Sequence, residues 1–170
     1  MLAESLYAFQ VRFQLQRNVE VCDSALVLVV ALLNRAISYS NIGEFKDSLC
    51  DLTSCIAISL HKPELYLLRA ESHAHLDDFT NVNLDANCAI DLNPWFVDAH
   101  ILKGAIEANI GNYAAAIIHL NKAIELDPNY AKAYLVRSFV HSAFRNQDYK
   151  NDRKRAFELD GSLGSTDLQE

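Results

Sequence analysis

Residues 97–130 carry two runs of apolar positions at helical spacing, separated by a polar turn. Ile101, Gly104, Ala105 and Ala108 form one stripe, and Ala116, Leu120, Ala123 and Leu126 form a second that opens at Tyr113. Gly111-Asn112 predicts the turn between them. Asp127-Pro128 ends the second helix, because the residue before a proline avoids helical dihedrals. Gly104, Ala116 and Ala123 are small where two helices must approach closely.

The same pattern recurs along the chain and divides it into units of 29–62, 63–96, 97–130 and 131–160. In the first unit, a helix starting near Ser24 carries Leu32, Ala36 and Tyr39. Gly43-Glu44 turns the chain, and Phe45, Ser48, Leu52 and Cys55 mark a second helix. The second unit opens at Pro63, a residue suited to a first helical turn, and closes at Asn93-Pro94. The last unit breaks register. Its RAFELDGS resembles KAIELDPN at a spacing of 33 residues, whereas Tyr149 follows Tyr113 by 36, so its second helix is expected to be shortened or shifted. Residues 1–28 read as an irregular N-terminal helix and connector. Leu2, Leu6, Phe9 and Phe13 favour a helix over about 3–17, but the alternation of Phe9, Val11, Phe13 and Leu15 leaves a strand open. Residues 161–170 read as a flexible tail.

Composition narrows the function classes. Half the chain is apolar, with only five glycines and three prolines, which favours an ordered helical protein. The net charge of −7 is uneven: residues 63–129 hold 3 basic and 10 acidic side chains. An acidic middle disfavours nucleic acid and anionic membranes as partners. The run Arg153-Lys154-Arg155 suits a solvated helix end. The apolar run 25–33 is nine residues long, short of a bilayer span, so no membrane contact is expected. Arg12 and Arg17 loosely suggest a mitochondrial presequence, but Glu4 and the aromatic content argue against it. Cys22, Cys50, Cys55 and Cys88 show neither metal nor disulfide spacing, and a reducing, cytoplasmic setting is the simpler expectation.

Helix pairs with a 34-residue period resemble the tetratricopeptide repeat family. The likeness rests on joint recurrence: a small eighth residue (Ala36, Ala70, Gly104, Ser138), an aromatic after the turn (Phe45, Phe79, Tyr113) and a small twenty-seventh residue (Cys55, Ala89, Ala123). The closing proline appears as Pro94 and Pro128 but is replaced by Leu60 in the first unit. The resemblance implies an all-α, right-handed α-solenoid of about four hairpins with an extra N-terminal helix. One hairpin cannot bury both its apolar faces alone, so successive hairpins stack.

Basic residues recur at the seventh position as Arg35, Arg69, Lys103 and Arg137, followed by Asp51, Asp85, His119 and Asp152 on the second helices. Structural ion pairs within each hairpin are expected, with both members changed together in the third unit. The resemblance further implies a concave groove lined by Leu33, Ile37, Leu67, Glu71, Ile101, Ala105, Leu135 and Phe139. Such a groove suits a protein or peptide with apolar anchors and some basic residues. Covering of this stripe by residues 1–17, or by a neighbouring repeat, is the alternative. A role as a structural module or self-associating array stands beside the scaffold or adaptor reading, since the apolar helix at 25–33 needs cover. The two-carboxylate clamp of chaperone-binding relatives is matched only by Asn34-Arg35-Ala36. Glu64 and Leu68 stand where cations are needed, which makes a co-chaperone the weaker reading. No nucleophile–base set, phosphate loop or metal cluster is evident, so neither catalysis nor a cofactor or metal is expected.

Overall fold

A computed structural model describes residues 24–59, 61–144 and 147–163 of the chain. The helix expected over 3–17 and the tail beyond 163 lie outside the described residues. The chain divides into two units, Met1–His61 and Lys62–Glu170. All regular structure among the described residues is helical.

In the first unit, α1 (Ser24–Asn41) and α2 (Phe45–Ile58) form a hairpin. Gly43 joins them with a φ of +83°, a left-handed conformation that glycine adopts without steric cost. Val29 and Ala36, two turns apart on α1, are buried, as are Leu52, Cys55 and Ile56 on α2. The Cys55 thiol donates to the Val29 carbonyl at 3.6 Å, and the Ser40 and Ser48 hydroxyls lie 2.9 Å apart. The helix that holds the nine-residue apolar run is therefore 18 residues long, with Arg35 as its one charged side chain. By length and composition it reaches the lower bound for crossing a membrane, a point the apolar run alone understated. Arg35 nevertheless reaches the carboxylate of Asp51 on α2.

The second unit holds three hairpins. They are α3 (Pro63–His75) with α4 (Phe79–Leu92), α5 (Val97–Asn109) with α6 (Tyr113–Leu126), and α7 (Ala131–Ala143) with α8 (Tyr149–Leu159). Each second helix packs on the first helix of the next hairpin, α4 on α5 and α6 on α7. Two buried clusters result. One joins Ala70, Val82, Ala86 and Ile106; the other joins Ile101, Ala116, Leu120, Ala123, Ala133 and Val140.

Helices α5 and α6 approach closely at Gly104. A Cβ there would sit 2.7 Å from Leu120 Cγ and 3.2 Å from the Ala116 carbonyl oxygen. The turn residues also recur at 34: Gly43, Asp77 and Gly111 all have positive φ, but only Asp77 (φ 57°) carries a side chain there. Asp78 beside it caps α4 by accepting from the Asn81 amide at 3.3 Å.

The register question in the last helix resolves as a combination. The helix α8 begins at Tyr149, 36 residues after Tyr113, and ends at Leu159, 33 after Leu126, so it has 11 residues against the 14 of α6. Both sequence matches hold because the helix is shorter at its start. Beyond its end, Gly161–Leu163 forms a 3₁₀ turn, with the Ser162 amide and hydroxyl donating to Asp160 at 2.9 and 2.7 Å.

Candidate functional site

The second unit carries a cleft of about 530 Å³. Its residues recur at repeat spacing because each comes from the same face of a first helix. Glu64, Leu67, Leu68 and Glu71 on α3 are spaced three, four and seven apart, which is one helical face. Asp98, Ile101, Leu102 and Ala105 repeat that face on α5, and Lys132 and Val136 extend it on α7. Phe96 and Tyr130, each the residue before its helix, complete the wall.

The floor is apolar and the rim is acidic. Glu64 and Glu71 are exposed and have no ion-pair partner among the described residues. Asp98 accepts from the Tyr130 hydroxyl at 2.9 Å, and Lys132 stands 3.7 Å away. Burial, then the Asp98 carboxylate, pushes the Tyr130 phenol above its ordinary value, which keeps it a hydrogen-bond donor.

Away from the cleft, the hairpins are clasped by bidentate pairs. Arg35 meets Asp51 at 2.7 and 2.7 Å, Arg69 meets Asp85 at 2.9 and 2.6 Å, and Arg137 meets Asp152 at 2.7 and 2.6 Å. All three carboxylates are buried. The Arg35 guanidinium holds the Asp51 carboxyl below the usual range. Tyr66 and Tyr134 lie under Arg69 and Arg137 at 5.7 and 5.6 Å, whereas Leu32 stands at the matching place beside Arg35. Consistent with that missing ring, the Arg35 side chain is 59 % exposed, against 21 % and 20 % for the other two.

The third hairpin differs. Lys103 does not pair with His119; it bonds Asn83 on α4 and Glu107 on its own helix, the latter at 3.2 Å. His119 stacks on His100 with ring centroids 5.7 Å apart and Nδ1 atoms at 3.4 Å. His100 Nε2 donates to the Pro94 carbonyl at 3.0 Å, so in the neutral pair its Nδ1 accepts from His119. Burial, followed by the neighbouring His100 and Lys103, holds the His119 imidazole below its ordinary value.

The sequence profile of the tetratricopeptide repeat matches residues 97–130. Those residues are thus similar to one tetratricopeptide repeat, and the helix-hairpin fold around them is that of tetratricopeptide solenoids. Solved structures share the fold at low identity. A crystal structure of MamA superposes with a TM-score of 0.68 at 22 % identity, covering 79 % of this chain and 80 % of that one. The first tetratricopeptide domain of Spaghetti (RPAP3), bound to the HSP90 peptide SRMEEVD, gives 0.64 at 21 %, covering 69 % and 94 %. YrrB, described as having an unusual peptide-binding site, gives 0.64 at 16 %, covering 78 % and 69 %. No curated protein matches the chain in sequence.

Within this tetratricopeptide array, Leu67, Glu71, Ile101 and Ala105 line the cleft, with Ile101 only 3 % exposed and thus chiefly floor. Leu135 and Phe139 do not line it. The α7 wall is made by Lys132 and the sixth-position Val136, and Phe139 is 62 % exposed. Leu33 and Ile37 belong to the first unit, where Leu33 is half-buried and Ile37 exposed. Sequence reasoning missed Leu68, Leu102 and Val136, which share one repeat position, and the aromatic pair Phe96 and Tyr130. Their spacing of 34 was the available signal. Among the described residues no three His, Cys, Asp or Glu side chains gather as a metal site.

Proposed function

We propose that this chain is a non-catalytic scaffold or adaptor whose second-unit cleft takes a protein segment with apolar anchors and some Lys or Arg. One observation carries the reading: an apolar floor built from equivalent faces of α3, α5 and α7, rimmed by Glu64 and Glu71, which have no ion-pair partner among the described residues. Leu67, Leu68 and Ala105 supply apolar contact for a helix or extended peptide, and the carboxylates select positive charge. The tetratricopeptide fold is generally a non-catalytic protein-interaction module, and two of the structural neighbours are described with peptides or a peptide site. A cytoplasmic setting goes with this reading, since Cys50, Cys55 and Cys88 are all free thiols. The rim disfavours acidic chaperone tails, because Glu64 and Leu68 occupy places where a carboxylate clamp needs cations.

The test is selection of dodecapeptides from a displayed random library on the full chain, with Leu67→Glu and Ala105→Glu variants as controls. Selected peptides should carry paired apolar residues and at least one Lys or Arg, and each control should weaken them about tenfold or more. A peptide ending in EEVD should not bind measurably. Tight EEVD binding, or peptides indifferent to both controls, overturns the reading.

A second reading is favoured by α1, where Leu26, Val27, Leu28 and Val30 are each about half exposed or more. An apolar face of that kind suits self-association or a place in a larger assembly. Light scattering separates the two readings: a monodisperse monomer with intact peptide binding favours the adaptor.

A further inference from the structure

Three residues of the cleft, Phe96, Asp98 and Tyr130, also line a second notch of about 300 Å³. Its remaining wall includes Trp95 and Asp127. Trp95 is the one tryptophan in the chain, and it is 70 % exposed. Local backbone chemistry does not require it. The Asn93 side chain accepts from the Trp95 amide at 3.0 Å, closing a tight turn between α4 and α5. The next repeat makes the same turn with Asn129, whose amide donates to Asp127 at 2.9 Å, and Ser162 does so again with Asp160. The preceding repeat places the exposed His61 at this position. The repeat therefore tolerates small or polar residues where Trp95 stands, and the indole is surplus to folding.

The surroundings of the indole are suited to a cation. Asp98 and Asp127 line the same notch, and Asp127 has no ion-pair partner among the described residues. Lys122 Nζ already sits 5.5 Å over the indole ring, which shows that a cation is accommodated on its face. Lys122 also meets Glu125 at 3.1 Å, an exposed contact that a bound cation would leave in place. Exposed tryptophan beside a cleft is the residue type that most often anchors a partner.

Building on the cleft reading above, we infer that a segment held in the cleft continues over Phe96 and Tyr130 onto Trp95. There it seats an Arg or Lys side chain between the indole and the carboxylates of Asp98 and Asp127. The notch then adds a specificity position beyond the apolar anchors, one that asks for positive charge at one end of the segment.

The fluorescence of Trp95 reports on this site alone. The probes are the library-selected dodecapeptides, each also made with its Lys and Arg replaced by glutamine and citrulline. They are titrated into the full chain while emission is recorded, and affinity is measured separately by calorimetry. Trp95 emission should shift with the same midpoint as the calorimetric curve. The neutral forms should bind about fivefold or more weakly, Asp127→Asn about threefold, and Trp95→Ala about tenfold. Because the indole is exposed, Trp95→Ala should unfold at the temperature of the parent chain. Peptides that lose binding to Leu67→Glu, yet leave Trp95 emission unchanged and bind Trp95→Ala as well as the parent, overturn the extension and leave the cleft reading intact. Peptides that shift Trp95 emission but bind Leu67→Glu unchanged overturn the continuity between notch and cleft.

Discussion

The hairpins α3–α4 and α5–α6 share a backbone and differ in what clasps them. In the first, Arg69 forks onto Asp85, a carboxylate only 2 % exposed, with Tyr66 beneath the guanidinium. In the second, a histidine stack and a lysine turned toward α4 occupy the equivalent places. That the fold accommodates both says the pair is one way to fill the position, not a requirement of the hairpin. The difference should still be large when one partner is removed. Asp85→Ala removes the buried carboxylate that the Arg69 guanidinium forks onto and is expected to cost about 3 kcal/mol. His119→Ala removes a stacked ring with no charge behind it and is expected to cost about 1 kcal/mol. Urea unfolding of both variants checks this, and equal losses would sink the distinction.

The same two hairpins differ where Gly104 lets α5 approach α6 closely. Ala70 on α3 and Gly104 on α5 are equivalent, and the opposing residues 34 apart are Ala86 and Leu120. The larger partner meets the smallest: alanine faces alanine between α3 and α4, and glycine faces leucine between α5 and α6. Gly104→Ala would gain about 1 kcal/mol of helix propensity, but the new methyl meets the Leu120 branch carbon at 2.7 Å. Leu120 is fully buried and has little room to move. A net loss of about 1–2 kcal/mol is expected in thermal unfolding. In the double variant Gly104→Ala/Leu120→Ala, the overlap disappears and a cavity replaces it. If Gly104→Ala stabilises the chain, the close-approach argument fails.

Why the fold was legible and the cleft only partly so follows from the same geometry. Apolar positions at helical spacing, broken at Gly43, Gly111, Pro94 and Pro128, mark the helices by local chemistry alone. The fifth and ninth positions could be placed on the cleft side for α3 and α5. On α7 the wall instead uses Val136, one residue on from Leu135. The second and sixth positions line the cleft on all three first helices, as Glu64, Asp98 and Lys132 and as Leu68, Leu102 and Val136, so α7 presents the same face but less of it. How far the cleft reaches along each helix is set by packing between hairpins, which a one-dimensional pattern does not carry. Phe96 and Tyr130 escaped notice because they precede their helices, where the periodic signal stops. The cross-hairpin pairs were legible because their spacing repeats. The Lys103–His119 exception was visible as a change of residue type, but its consequence, a stack with His100, depends on side-chain geometry.

The smallest expected effect sharpens the comparison between the two clasps through pH. His119 is held below its ordinary imidazole value, first by burial and then by His100 and Lys103, with Glu107 opposing. The folded chain therefore binds this proton less readily than the unfolded chain. As pH falls through about 6.5, the unfolded state takes up the proton first, so stability declines; the decline levels off once the folded-state value is passed. His119 is partly exposed, which limits the loss to less than about 1 kcal/mol. The carboxylates with lowered values, Asp51, Asp78 and Asp160, act in a separate window, losing their contribution only as pH falls below about 4. Exchanging the third clasp for the kind found in its neighbours, with Lys103→Arg/His119→Asp, should abolish the His119 part of the decline between pH 7.5 and 5.5. His119→Gln should do the same without adding a charge pair. Urea midpoints of the three chains at the two pH values decide it. A decline of the same size in both variants would assign the effect to another group and leave the histidine stack with a packing role alone.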